Sequence, residues 1–210
     1  LGGGVPLPVA KRCNYLLFHP RHFPQLCASP NHPKTSDMNG GTDKQQIRRK
    51  IESNDPELKK LAIGHKYLPG DWETDGKSIG RNTRIKELLF SFDLHDRVRR
   101  DEFELFCRGL AYNKSVERLS VGCGILSGGE IFRMLTPFFQ QNGNLICLAV
   151  GGEFRNAPNS VRLLSESLSR FNTLREFECW AGDLVDNDME TIIRALAGHS
   201  QLTKIDLSQS

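Results

Sequence analysis

Apolar residues recur along this chain in a six-place pattern, occupying the first, fourth and sixth places. The pattern is clearest at Val116-Glu-Arg-Leu119-Ser-Val121. It returns at Leu58/Leu61/Ile63, Ile85/Leu88/Phe90, Leu145/Leu148/Val150, Leu174/Phe177/Cys179 and Leu202/Ile205/Leu207. Successive starting positions are 27, 31, 29, 29 and 28 residues apart. One hexad means little, because Leu-rich strands are common. A row of them at nearly constant spacing predicts a repeat array. Within a hexad the fourth and sixth residues share one face while the third, fifth and seventh take the other, as in a short strand.

A second pattern keeps step with the first. Counting back 13, 10 and 6 positions from a hexad gives Phe103, Phe106 and Leu110 before Val116, and Phe132, Leu135 and Phe139 before Leu145. The same offsets give Val161, Leu164 and Leu168, then Met189, Ile192 and Leu196. Spacings of three and four fall on one side of a helix, so each connection predicts an amphipathic helix. Each repeat is then one strand and one helix, neither able to bury its apolar face alone. Right-handed crossovers stack the strands into a parallel sheet with the helices outside it. Strands pack about 4.8 Å apart and helices about 8–10 Å, so the stack must curve with the sheet on the concave side.

These hexads, their period and the polar turns before them (Asn113-Lys-Ser-Val116, Asn142-Gly-Asn-Leu145, Arg170-Phe-Asn-Thr-Leu174) resemble the leucine-rich repeats of the ribonuclease-inhibitor-like type. That resemblance implies an α/β leucine-rich-repeat solenoid over residues 55–210, about five and a half repeats with a period of about 28–29 residues. For function it implies a scaffold for protein–protein interaction, because the fold hosts many roles.

Ahead of the array, residues 43–54 read as a flanking helix, with Ile47 and Ile51 four apart, that shields the first repeat. Its basic run Arg48-Arg-Lys50 reads as a solvated face. Residues 1–42 read as an irregular, disordered segment, broken by Gly2-Gly-Gly4 and by Pro6, Pro8, Pro20, Pro24, Pro30 and Pro33. Cys13, His19, His22 and Cys27, with His32 nearby, are zinc-type ligands, but their spacing matches no common finger, so no metal or other cofactor is expected.

Local exceptions carry their own expectations. Gly76 and Gly80 interrupt the first repeat's helix, where Trp72, Asp75 and Ile79 hold the periodic positions, and predict a short or distorted helix near 72–80. Residues 93–100 form a charged loop before a helix starting near Asp101. Ser127-Gly-Gly-Glu130 and Asn187-Asp-Met-Glu190 have capping-box spacing, Pro158 fits a first helical turn, and Pro137 should kink or shorten its helix. The last hexad runs into Ser208-Gln-Ser210 with no helix after it, so the array is expected to continue in a longer parent.

Charge and cysteine content narrow the compartment and the partner. The net charge is +3, with ten Lys/Arg against five Asp/Glu in residues 1–60 and six against nine in residues 145–210. That gradient fits a polar protein partner better than uniform nucleic-acid binding. No apolar run has membrane-spanning length, and the six cysteines lack the spacing of a disulfide framework. The chain therefore reads as intracellular, cytoplasmic or nuclear. The sequon Asn113-Lys-Ser115 is the single contrary sign.

Concave-facing hexad positions form the candidate partner-binding surface: Arg118, Ser120, Cys147, Glu176, Glu178, Trp180, Lys204 and Asp206. Small residues elsewhere leave the centre nearly bare. A solvent-facing Trp180 among carboxylates would anchor a basic peptide or loop, unless it tucks towards Leu184. No catalytic set is expected: His65, His95 and His199 fall on different repeats, no phosphate-cradling Gly-rich loop is present, and Cys147 reads as inert. The leading expectation is a non-catalytic scaffold docking a partner on its concave sheet. The alternatives are a regulatory module of the nuclease-inhibitor or small-GTPase-activator type, or nucleic-acid binding through the basic N-terminal segment.

Overall fold

The structure is a computed structural model that describes residues 40–207, apart from 65–66, 68, 93–97, 124–127, 153, 155–158 and 182. Helices and strands alternate: α1 (Gly40–Glu52), β1 (Lys60–Gly64), α2 (Trp72–Arg81), β2 (Glu87–Phe92), α3 (Arg100–Leu110) and β3 (Arg118–Cys123) come first. Then follow α4 (Gly128–Gln141), β4 (Cys147–Gly151), α5 (Ser160–Leu168), β5 (Glu176–Trp180), α6 (Asp186–Leu196) and β6 (Lys204–Asp206). All six strands pair in sequence order as one parallel sheet.

The register is the hexad alignment itself. Lys60, Glu87, Arg118, Cys147, Glu176 and Lys204, each the third residue of its hexad, lie side by side. Identical apolar places therefore stack between sheet and helices. Leu61, Leu88, Leu119, Leu148 and Phe177 are buried in one row, and Ile63, Phe90, Val121, Val150 and Cys179 in the next. The helix positions close over them, with Phe103, Phe106, Leu110, Leu135, Leu164, Leu168 and Ile192 at zero exposure. Each such side chain contributes about 1.5–3 kcal/mol, so the core is one elongated body. An aromatic cluster joins the first and second repeats, where neighbouring rings of Trp72, Phe90, Phe92, Phe103 and Phe106 lie 5.5–6.2 Å apart, centroid to centroid.

The polar turns have a structural task. Asn82, Asn113 and Asn142, three residues before their hexads, are buried. The Asn113 side-chain amide donates to the carbonyls of Ile79 and Asn82, at 2.7 and 3.0 Å, and its oxygen accepts from Ser115 and Val116. Asn82 and Asn142 likewise tie each turn to the preceding repeat. They satisfy backbone groups that a buried turn would otherwise orphan. With both ends of its amide engaged in the interior, Asn113 is not an accessible glycosylation acceptor, which removes the contrary sign of the sequon. Phe171 takes the next place in this row and is buried as an apolar residue instead.

Several local expectations are corrected. α2 is a regular ten-residue helix, capped by Asp71 accepting from the Thr74 amide at 3.0 Å. Its glycines are not exposed: Gly76 and Gly80 are buried against the backbone of α3 at Phe106 and Gly109, where a side chain would not fit. α4 runs 14 residues through Pro137, unshortened, because Ile131, Phe132, Met134, Leu135, Phe138 and Phe139 on both sides of the proline are buried. That packing exceeds the roughly 3 kcal/mol that an interior proline costs. α6 begins at Asp186, so Asn187 is inside it and the cap comes from Asp188, which accepts from the Val185 amide at 3.2 Å. The caps expected at Ser127 and Pro158 lie outside the described residues.

α1 stands beside α2, with Ile51 buried and Ile47 partly so. Arg48 is not merely solvated. Its Nε lies 3.0 Å from Glu52 and 3.6 Å from Asp75, a carboxylate buried at one of α2's core-facing positions. The Tyr67 hydroxyl lies near this carboxylate, although neither it nor Asp75 Oδ2 closes a well-formed hydrogen bond. Burial first, then the Asp75 charge, push the phenol's pKa up.

Candidate functional site

The strand alternation that buries the fourth and sixth hexad residues turns the third, fifth and seventh to the concave face. Three rows result. The first reads Lys60, Glu87, Arg118, Cys147, Glu176, Lys204, and the second Ala62, Leu89, Ser120, Ala149, Glu178, Asp206. The third reads Gly64, Ser91, Gly122, Gly151, Trp180. All eight candidate residues thus share one face of β3 to β6, and the structure brings them into adjacent rows.

Their charges are matched internally. Arg118 reaches from β3 across β4 to Glu176 on β5, with Nη1–Oε1 at 3.3 Å and Nη2–Oε2 at 2.8 Å. Cys147 stands between them in the register and is buried. The pair is partly exposed, 41% for Arg118 and 29% for Glu176, so water screens it. Hydrogen bonding from Arg118 is the main cause that holds the Glu176 carboxyl below its ordinary pKa. Lys204 on β6 bonds to Glu178 on β5, and Lys60 pairs with Glu87 across β1 and β2. Hydrogen bonding to Glu178 is also the main cause that raises the Lys204 pKa.

Three expectations about this face are corrected. Trp180 is not solvent-facing but 9% exposed, and Leu184 after it is buried too. The register sets Trp180 beside Gly151, and Gly151 beside Gly122, two positions without side chains to hold an indole off the sheet. The centre is also not bare. Cys147, Ser120, Ala149 and Glu178 are all buried. Nor is the C-terminal third an open acidic patch, because Glu176 and Glu178 already hold cations of their own chain. One accessible part of the concave face lies on β1 and β2, where Ala62, Glu87, Leu89 and Ser91 are half-buried and Lys60 is exposed, and the edges of β3 to β6 are open to a similar degree at Arg118, Glu176, Lys204 and Asp206.

Alternating contacts of this kind could have been read from the sequence. Aligning the hexads puts Arg118 and Glu176 in one row with only the small Cys147 between them. The row, rather than each hexad alone, carries the signal.

Among the described residues no group of three His, Cys, Asp or Glu side chains converges on a metal-sized site. Cys107 and Cys179 are buried free thiols whose pKa burial pushes up, to about 12 for Cys179. The cluster of Cys13, His19, His22, Cys27 and His32, together with His65 and His95, lies outside the described residues. No described helix is long and apolar enough to cross a membrane.

The alternating strands and helices, the single parallel sheet and the stacked hexad rows define an α/β solenoid of the leucine-rich-repeat kind. A solved structure agrees in fold. The chain is similar to one described as leiomodin-1 actin-binding site 2, with a TM-score of 0.53 and 17% identity over 72% of this chain and 86% of that one. It is also similar to a Caenorhabditis elegans tropomodulin C-terminal domain, with a TM-score of 0.47 and 16% identity over 79% and 83% of the two chains. At 17% identity the likeness to the leiomodin-1 domain speaks for the fold alone. No protein-family model and no curated protein matches the sequence.

Proposed function

We propose that this chain is a non-catalytic protein-binding scaffold, of the ribonuclease-inhibitor-like repeat type, that docks a protein partner on its concave sheet. The observation that carries the reading is the strict register of the three concave rows, which joins short strands into one continuous recognition surface. Leu89 is the apolar centre of the accessible part on β1 and β2, flanked by Ala62 and by the Lys60–Glu87 pair. A half-buried leucine among polar groups is the arrangement of an interface core with a polar rim. Arg118, Glu176, Lys204 and Asp206 extend that rim towards β6. The internal pairing of the carboxylates favours a partner of mixed polarity over a strongly basic peptide.

The first partner to try is monomeric actin, because the leiomodin-1 neighbour is described as actin-binding. Partners captured from cell extract should then be purified and measured individually. Leu89→Glu should weaken such a partner's binding at least about tenfold while thermal stability stays within about 1 kcal/mol. A convex control, Arg162→Ala on α5, should bind as the wild type does. Undiminished binding by Leu89→Glu, or an equal loss from Arg162→Ala, refutes the concave-face reading.

A further inference from the structure

Two carboxylates on β5, both facing the concave side, are served differently. Glu176 is gripped at both oxygens by the Arg118 guanidinium, at 3.3 and 2.8 Å. Glu178 is served at one oxygen: Oε1 takes the Lys204 ammonium, while Oε2 is buried with no hydrogen-bond partner among the described residues. The Glu178 side chain is 3% exposed, whereas Lys204 is 49% exposed. A buried carboxylate oxygen without a donor is costly, and the cost lasts until a donor arrives. An ammonium is a point charge and cannot lay two parallel N–H groups along a carboxylate, as a guanidinium does. The chain itself displays that complete arrangement at Glu176.

We propose that Glu178 is the acceptor for an arginine side chain of the protein partner, with Lys204 an intramolecular placeholder that the incoming guanidinium displaces. This rests on the concave-face reading and names what that face selects. Lys204 leaves at little expense, because half of it is already in water and Asp206 and Glu176 remain nearby to attract it. The guanidinium then meets both Glu178 oxygens and ends the isolation of Oε2. A lysine from a partner would only repeat what Lys204 already does. The site therefore discriminates between the two cations.

The test uses the full chain, isotope-labelled and titrated with capped Gly-Ser-Gly-X-Gly-Ser-Gly peptides in which X is arginine, lysine or citrulline. The arginine peptide should shift the amide resonances of β5 and β6 and bind about tenfold more tightly than the lysine peptide, with no shifts from citrulline. Lys204→Met keeps the bulk of the stem and removes the placeholder, so it should tighten arginine binding about tenfold. Glu178→Gln should abolish it. The proposal is overturned by equal affinity for arginine and lysine, by a Lys204→Met protein that binds no arginine peptide, or by binding retained in Glu178→Gln. Lys204→Met decides alone should Glu178→Gln fail to fold. Leu89→Glu leaves this site intact, so the wider concave-face reading stands or falls separately.

Discussion

Replacing Gly109 by alanine inverts the usual effect of that substitution. In an exposed helix the change stabilises by about 1 kcal/mol, since glycine has more backbone freedom to lose on folding. Gly109 is not exposed: it is buried where α3 meets α2 backbone to backbone. A methyl group built there lies 2.5 Å from the Lys77 nitrogen, 2.6 Å from the Gly76 carbonyl carbon and 3.1 Å from its Cα. Ordinary contact begins near 3.4 Å, so α3 must retreat by about 0.9 Å (3.4 − 2.5). The obstructing atoms are backbone and cannot turn aside as a side-chain tip would. A gap of that size forfeits a quarter to a half of each dispersion contact along the seam. It also draws Phe103 and Phe106 away from Trp72.

Overpacking of this kind costs about 1–3 kcal/mol, and backbone obstruction puts it at the upper end. Subtracting the propensity gain leaves a net loss of about 2 kcal/mol, or roughly 4–8 °C in Tm for a chain of this size. Urea and thermal unfolding followed by circular dichroism measure it. Gly143→Ala is the control: nothing lies within 4 Å of its added carbon, so stability should stay level or rise by a few tenths of a kcal/mol. A Gly109→Ala protein as stable as the wild type would refute the close-seam reasoning.

Two further outcomes follow from the same structure. Asn113→Ala should cost about 2–4 kcal/mol in urea unfolding, because it strands the Ser115 and Val116 amides in the interior and takes one of two donors from each of the Ile79 and Asn82 carbonyls; a loss under ~1 kcal/mol would show that water replaces the side chain. The Glu176 carboxyl is held below its ordinary value of 4.5, so its stabilising contribution is fully present above that pH and is lost as pH falls through the lowered value. Unfolding measured from neutral pH into acid should therefore show the stability gap between wild type and Arg118→Met narrowing below about pH 4.5, and a gap constant with pH would exclude the pair as its source.

The repeat fold, the strand register and the helix faces were legible because they are periodic. A hexad with neighbours on both sides buries its first, fourth and sixth residues against near-copies of itself, whereas Ile205 in the last hexad is 49% exposed, so the local pattern and the tertiary contact carry the same information. Leu119 and Leu148 sit at zero exposure for that reason. Gly76, Gly80 and Asp75 could not be read in this way, since their roles depend on what faces them. The glycines meet the α3 backbone, and the aspartate meets Arg48 of α1. Trp180 and Glu178 likewise look outward by strand alternation alone. They are nevertheless buried, beside cross-strand ion pairs that join distant parts of the chain, as Arg118 reaches a partner 58 residues away. The chain's own periodicity thus determined the architecture and which side chains line the concave face. Tertiary structure decided which of those are open to a partner, because charge pairing and packing between rows depend on distances that no single repeat contains.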